Sequence, residues 1–210
     1  MSTFGDMKSR IADELSRSDL TTQIGLEILT AISHYETERW SWSEQRATAS
    51  TVASTAFIAL PTDFLDEDSL MITINGSKDP LRRVGYEYID KIDSGLHTGQ
   101  PSVYAFYDGQ IRLYPIPDQA YTITFSYLKA QTALSADADT NDWTNEGEAL
   151  IRARAKAAVR INYLNDAAAK QEMTAVGPDF LCAAEASAYK SLKIKSDRRT
   201  GTSAITPYCV

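Results

Sequence analysis

The chain has 210 residues, a formal net charge of −7, 43% hydrophobic residues, 23% charged residues and two cysteines. This composition is typical of a globular protein and excludes collagen-like and disordered classes, and two cysteines with two histidines are too few for a disulfide framework or a zinc site. No apolar run is long enough to span a membrane, and residues 1–6 lack the pattern of a signal peptide, so we expect a soluble protein made in the cytosol.

The first forty residues predict two helices. From Thr3 to Ser18, apolar side chains recur every three or four positions, as on one face of a helix: Phe4, Met7, Ile11 and Leu15. A second helix begins after a cap at Asp19 or Thr21, and its apolar face extends to Tyr35. Because the link at residues 18–19 is short, we expect the two helices to be antiparallel neighbours.

The composition changes after Trp42, where short runs rich in Thr, Val, Ile, Tyr and Phe alternate with turn residues. Asn75-Gly76 follows an alternating run and is a strong tight-turn signal, and Asp108-Gly109 separates two runs and predicts a hairpin with a two-residue turn. A third hairpin is predicted across residues 115–118, between strands that end at Tyr114 and begin at Tyr121. A strand over residues 56–60 ends at Pro61, and a short helix is expected within residues 85–92. Such period-two strands indicate an antiparallel sheet or small sandwich.

Two more helices are predicted after a polar loop at residues 135–146. One runs from Thr144 to about Lys170, and the other runs from Pro178 to about Lys195. The element order therefore predicts an α+β fold. Helices within residues 1–41 and 144–196 form a discontinuous antiparallel bundle, residues 42–143 form an inserted antiparallel β-sheet or sandwich lobe, and residues 197–210 form an extended C-terminal docking tail.

The charge is uneven along the chain. Residues 40–145 carry a net charge of −7, whereas residues 146–210 carry +3. Nucleic-acid binding usually needs a continuous basic face, which this distribution does not provide. The asymmetry favours two surfaces with different partners, or contact between the tail of one copy and the middle of another, and it is equally compatible with ordinary solvated surface.

Motifs for catalysis or cofactor binding are absent from the sequence: there is no phosphate-binding glycine loop, dinucleotide fingerprint, His-Glu-x-x-His or Gly-x-Ser-x-Gly. His34 and Glu38 are one helical turn apart but have no third metal ligand. The carboxylates between Asp63 and Asp68 are typical of a solvated turn, and residues 135–146 lack the glycine and glutamate of a calcium loop. We therefore expect no enzyme and no catalytic, cofactor or metal site.

Two segments are candidates for protein contacts. Trp40 and Trp42 are two positions apart at a helix end, so either both pack in the core or they serve a junction and an interface. The last fifteen residues begin with the charged run Asp197-Arg198-Arg199 and continue as a stretch of extended character without hydrophobic periodicity. This segment is either a free tail or a docking segment, in which Arg198 and Arg199 act as electrostatic anchors and Ile205 and Tyr208 as plugs.

Several short motifs occur in a characteristic order over roughly residues 20–200. They are Tyr35-Glu36 through Arg39-Trp40, Leu60-Pro61 with Asp63-Phe64, Gly99 with Pro101 and Tyr104, Leu113-Tyr114-Pro115 with Pro117-Asp118, Tyr121, Tyr127, and Trp143. Together they resemble the head-to-tail adaptor proteins of tailed bacteriophages, also called head–tail connector or tail tubular protein A-like proteins.

The resemblance implies a structural virion protein, made in the host cytoplasm, that forms a homo-oligomeric ring, expected to be twelve-fold, beneath the portal protein. Helices would build the ring wall, and DNA would pass through its channel without specific binding and without membrane contact. Arg198, Arg199, Ile205 and Tyr208 would dock on the portal. The lobe would face neighbours, tail or nozzle proteins, with its turns and packing set by Trp40, Trp42, Pro61, Tyr114, Pro115, Pro117 and Tyr121.

Two alternatives remain open at the level of sequence. One is another phage neck or tail-completion protein, which the same motifs separate poorly from an adaptor. The other is a small carbohydrate-binding or hydrolase module built on the β-rich lobe, which would need a pocket with perturbed carboxylates.

Overall fold

The computed structural model describes residues 1–93, 95 and 97–200 and has an α+β fold. The chain divides into two compact units. Ser43–Ala130 is the β-rich unit, and Met1–Trp42 with the described residues from Gln131 onward form the helical unit. The insert therefore ends at Ala130 rather than at residue 143, because Trp143 packs in the helical core.

The helices lie mainly at the two ends of the chain. In order they are α1 (Phe4–Leu15), α2 (Thr21–Glu36), α3 (Tyr86–Ile92), α4 (Asp142–Asn145), α5 (Glu148–Asn162), α6 (Ala167–Val176) and α7 (Ala183–Thr200). The two predicted N-terminal helices and the short helix within the insert are confirmed. Thr3 and Asp6 form a reciprocal capping box at the start of α1, which satisfies backbone N–H groups that the first turn leaves unpaired.

The single helix predicted from Thr144 to Lys170 is wrong, because the chain forms three helices there. Asn141 caps α4 by accepting a hydrogen bond from the Thr144 backbone N–H. After α5, Asn165 adopts a left-handed backbone conformation with φ of 50°, and Asp166 caps α6 through the backbone N–H groups of the next turn. Asn tolerates this conformation and Asp is a strong cap, so the two residues together end one helix and start the next.

The core of the helical unit is built by α1, α2, α5 and α7. Its fully buried aliphatic side chains recur at helical spacing and include Met7, Ile11, Ile24, Ile28, Leu150, Ile151 and Val159. The three tryptophans pack together in the same core, with Trp42 partly buried at its edge. Trp40 stacks on Trp42 at 5.2 Å between ring centroids, and Trp143 meets both rings edge-on at 5.5 and 5.3 Å. Trp40 is 1% exposed, so the structure places it in the core.

The β-rich unit contains two four-stranded sheets and one two-stranded pair. The strands are β1 (Glu44–Ser50), β2 (Phe57–Ala59), β3 (Phe64–Ile74), β4 (Ser77–Pro80), β5 (Arg82–Arg83), β6 (Thr98–Gly99), β7 (Val103–Tyr107), β8 (Gln110–Tyr114), β9 (Ile116–Pro117) and β10 (Thr122–Lys129). The first sheet has the order β1-β10-β3-β4, the second has the order β2-β8-β7-β5, and β6 pairs with β9.

The hairpin predicted at Asp108-Gly109 is confirmed, and the tight turn predicted at Asn75-Gly76 also joins two paired strands. Asn75 and Gly76 have φ of 50° and 83°, and Asp108 and Gly109 have φ of 50° and 66°. Two consecutive positive φ values define the turn that matches the twist of a hairpin, which explains the Asn-Gly and Asp-Gly signals. In register, Ile74 is opposite Ser77, and Tyr107 is opposite Gln110.

The hairpin predicted across residues 115–118 is wrong. Strands β8 and β10 lie in different sheets, and Ile116–Pro117 between them pairs in parallel with Thr98–Gly99. Pro115 and Pro117 have no N–H to donate to a ladder, so the chain leaves one sheet here and enters the other. A second parallel pair, β5 with β7, means that the strands are mostly, but not entirely, antiparallel.

The two four-stranded sheets share one core. Alternate residues of β3, β8 and β10 point into it, including Leu70, Ile72, Ile111, Leu113, Ile123 and Phe125. On the other face of the second sheet, α3 packs through Ile89 against Val103 and Ala105. Arg112 on β8 fixes α3 there, because its Nη2 donates to Asp93 Oδ2 at 2.6 Å and its Nη1 binds Asp90.

Candidate docking site

Helix α7 carries the described part of the predicted docking segment. It extends to Thr200, so residues 197–200 are helical rather than part of an extended tail. Ile205 and Tyr208 lie outside the described residues. The buried face of α7 contains Glu185, Leu192 and Ser196, and Cys182, directly before the helix, is buried on the same side. Their spacing of three, four or seven positions is that of one helical face, which includes two polar side chains.

A buried carboxylate holds the start of α7. Glu185 is fully buried, and its Oε1 accepts hydrogen bonds from the Tyr35 hydroxyl and Arg154 Nη1, each at 2.6 Å. Its Oε2 accepts the backbone N–H of Leu181 at 2.6 Å. Burial and the neighbouring Glu185 raise the pKa of Tyr35 well above its usual value, so the phenol stays protonated as a donor. The network therefore fixes α7 to α2 and α5.

The middle of α7 is fixed to the segment that leads into the β-rich unit. The Tyr189 hydroxyl donates to Glu38 Oε2 at 2.8 Å, and Lys193 Nζ donates to the Arg39 carbonyl at 3.0 Å. The Ser41 backbone N–H donates to Ser196 Oγ at 2.8 Å. Residues 38–41 are thus held at three successive turns of the helix.

Glu146 fixes the last turn of α7. Its carboxylate pairs with Lys195 and, at 3.3 Å, with Arg199 Nη1. The hydrogen bond from Lys195 lowers the pKa of Glu146 and keeps it ionised. Arg199, one of the two predicted anchors, is therefore engaged within its own protomer.

Arg198, the other predicted anchor, is exposed about 100° around the helix from Arg199. Neither it nor Lys190 has a hydrogen-bond or ion-pair partner among the described residues. Between them lies Ile194, whose side chain is 54% exposed. A shallow groove beside this face is lined by Ser191, Ile194, Lys195, Arg198 and Arg199.

Ion pairs within the helical unit neutralise most of the positive charge that residues 146–210 contribute. Arg152 and Lys156 of α5 both pair with Glu14 of α1, and Arg10 of α1 pairs with Glu148 of α5. These ion pairs join helices α1 and α5 within the helical unit and leave the net charge of −7 on residues 40–145 unmatched.

Of the predicted lobe residues, Trp40 and Trp42 lie in the helical unit, whereas the others occupy structural positions in the β-rich unit. The Tyr121 hydroxyl donates to Asp118 Oδ1 at 2.7 Å, and the Tyr114 hydroxyl donates to the Ile92 carbonyl at 3.1 Å. Pro117 is buried, and the Pro61 carbonyl accepts the Phe64 backbone N–H at 3.1 Å. These contacts stabilise turns and the position of α3.

The candidates that the sequence offered for chemistry have structural partners. Asp63 accepts the Tyr127 hydroxyl at 2.9 Å, and Glu67 accepts Tyr104 and Arg83 at 2.5 Å each. Burial raises the pKa of the Cys182 thiol, which disfavours the reactive thiolate. Across the described ranges, no group of three or more His, Cys, Asp or Glu is placed to hold a metal ion. Within the same ranges, no helix is both long and apolar enough to cross a bilayer.

Sequence reasoning missed the three glutamates that hold α7, namely Glu38, Glu146 and Glu185. One signal was available for Glu185, because it lies three residues after Cys182 and seven before Leu192, on the apolar face of the predicted helix. A carboxylate on a buried face requires a partner. The partners lie far away in sequence, on α2 and α5, and no local pattern identifies them.

A family model described as SU10 adaptor protein matches residues 2–206, which is nearly the whole chain. No curated protein matches the chain.

Proposed function

This chain belongs to the SU10 adaptor protein family of phage adaptors, and we propose that it is a structural head-to-tail adaptor that forms a ring beneath the portal of the virion. The match over residues 2–206 is the observation that carries the proposal, because it covers both units. The two hydrogen-bonded sheets and the ion-paired helices also suit a structural protein of the virion. Glu67, from the acidic cluster considered for catalysis, instead accepts a hydrogen bond from Tyr104.

The ring that we propose has twelve copies and continues the DNA channel of the portal. A closed ring needs a heterologous interface, in which two different surfaces of each copy meet. The helical bundle would form the wall, and the β-rich unit would face neighbouring copies and the tail or nozzle proteins. Both units are acidic, with net charges of −3 for the helical unit and −4 for Ser43–Ala130. An acidic wall repels phosphates and lets DNA pass without being retained.

Docking on the portal is assigned in this proposal to the C-terminal end of the chain. Arg198 supplies an exposed charge at the end of α7, and Ile205 and Tyr208 supply apolar side chains beyond it. Arg199 orients the helix end through Glu146 rather than contacting the portal directly.

Electron microscopy of the purified protein with the portal protein of the same phage tests this function. We expect a ring of adaptor density coaxial with the portal, on the side that faces the tail. A variant that ends at Thr200 keeps every described contact and separates folding from docking, so it should fold normally but fail to attach. A ring found only at the distal end of the neck, with no portal contact, would identify a tail-completion protein instead.

A further inference from the structure

The outer face of α7 carries the basic side chains of the C-terminal region that have no described partner. Within residues 146–200, seven basic side chains form ion pairs, and Lys170 donates to the Asn165 amide. Lys190 and Arg198 are the two basic side chains of this range that have no partner among the described residues. Within residues 146–200, where every other basic side chain is engaged, two exposed unpaired cations on one helix face are a candidate contact for an external acidic partner.

These two cations and one apolar side chain form a stripe along the helix. Lys190, Ile194 and Arg198 are four residues apart, so they lie on one face, and the ends of the stripe are about 12 Å apart at 1.5 Å per residue. Leu192 and Ser196 between them are buried on the other side. A central apolar anchor with flanking charges is the usual composition of a protein-binding hot spot.

We propose that this stripe docks on an acidic surface of the portal ring, with Ile194 in an apolar recess between carboxylates. The inference rests on the adaptor function proposed above. It adds Lys190 and Ile194 to the docking site, and it states the chemistry of the partner surface.

The position of the stripe favours the portal over other partners. The helix leads directly into residues 201–210, which contain no charged side chain, so the stripe provides all the charge of a continuous docking element. Two cations on an otherwise acidic protein give too little phosphate neutralisation to hold DNA. The inner face of α7 is fixed by Glu185, Glu38 and Glu146, so the stripe lies on a helix that is already held in place. Docking therefore costs little backbone conformational freedom.

Charge reversal tests the electrostatic part of the inference. The double variant Lys190→Glu with Arg198→Glu should bind the immobilised portal ring of the same phage at least about tenfold more weakly at low salt, and the difference should shrink at high salt. The matched control reverses Lys78 and Arg82, which are exposed cations of the β-rich unit without a described partner. It changes the net charge equally and should bind like the wild type.

A second pair of variants tests the apolar part. Ile194→Ser should weaken docking at both salt concentrations, whereas Leu26→Ser, at a side chain of α2 that is 55% exposed against 54% for Ile194, should not. All variants are compared with the wild type for unfolding temperature, since surface substitutions at these positions should leave it unchanged.

Three outcomes would overturn the inference. If the α7 variants bind the portal as tightly as the wild type, the stripe is not the docking surface and the adaptor function stands. If they still dock but no longer assemble into rings, the stripe contacts a second copy instead. If the wild type does not bind the portal at all, the proposed function fails and the inference fails with it.

Discussion

Removal of the buried carboxylate of Glu185 is the sharpest test of how α7 is held. Glu185→Ala would leave three donors without an acceptor: the Tyr35 hydroxyl, the Arg154 guanidinium and the Leu181 N–H. Loss of one member of a buried ion pair costs about 3–5 kcal/mol, because the other charge stays buried. The Arg154 side chain is 17% exposed, so water recovers part of its solvation, and we expect a loss of about 3 kcal/mol.

Tryptophan fluorescence is the appropriate assay, because all three tryptophans lie in the helical unit. The expected loss corresponds to a fall in the unfolding temperature of about 6–12 °C for a chain of this size. Glu87→Ala, at an exposed glutamate of α3, is the control and should leave this transition unchanged.

A triple variant separates an unpaired buried charge from a packing defect. Replacing Tyr35 by Phe, Arg154 by Met and Glu185 by Leu removes all the side-chain polar groups together, and stability should return to within about 1 kcal/mol of the wild type. The reasoning is refuted if Glu185→Ala unfolds within about 0.5 kcal/mol of the wild type, or if the triple variant is no more stable than the single one.

Three further predictions concern substitutions at individual residues. Burial and the hydrogen bond to Asp63 raise the pKa of Tyr127 to about 12. The protonated Tyr127 hydroxyl therefore contributes its full stabilisation below pH 10, and this stabilisation is lost as the pH rises through 12. Tyr127→Phe should reduce the alkaline loss of stability when unfolding is measured over this pH range. Gly109→Ala should cost about 1 kcal/mol because φ is 66° there, whereas Gly85→Ala, at φ of −69° and with open space around the added Cβ, should change the chemical denaturation midpoint little. Gly147→Ala would place a Cβ 2.6 Å from Trp143 Cε3 and should lower the thermal transition of the helical unit and shift its tryptophan emission.

The parts of the fold that the sequence predicts are those with local causes. Each turn is specified by two residues that accept positive φ, namely Asn75-Gly76 and Asp108-Gly109, so four residues account for both turns. The two N-terminal helices follow from apolar spacing in the same way.

The errors in the predicted fold have two kinds of cause. One is pairing between strands far apart in sequence, and the other is a local helical pattern that conflicts with a local signal for a helix end. Strand β10 pairs with β1 and β3, which are far away in sequence, and no pattern around Pro115 indicates that β8 stays in the other sheet. The helical periodicity after Thr144 continues in phase beyond Asn162, and it masked the break that Asn165 and Asp166 produce.

The docking site shows the same division. Exposure of Arg198 follows from its position at a helix end, but engagement of Arg199 by Glu146 depends on where α4 packs. Adjacent arginines are equivalent in sequence, whereas on a helix they point about 100° apart, so one can bind its own protomer while the other faces outward. Only the tertiary structure tells which of the two is available to a partner.

The contacts of α7 also bear on how docking would affect the rest of the molecule. The helix face that carries Lys190 and Arg198 is backed by bonds to Glu38, Arg39 and Ser41, the last residues before the β-rich unit begins. A force applied at the stripe is therefore transmitted to that segment through hydrogen bonds at three turns. These contacts, with those of Glu185 and Glu146, fix α7 at both ends and in its middle, so a displacement of the helix would break hydrogen bonds to residues 38–41. Glu38→Ala, which removes the acceptor of Tyr189 and Lys193, should thus speed amide hydrogen exchange in residues 38–42 while leaving the Glu185 end of the helix protected. Exchange in residues 38–42 as slow as in the wild type would show that these bonds do not hold the segment.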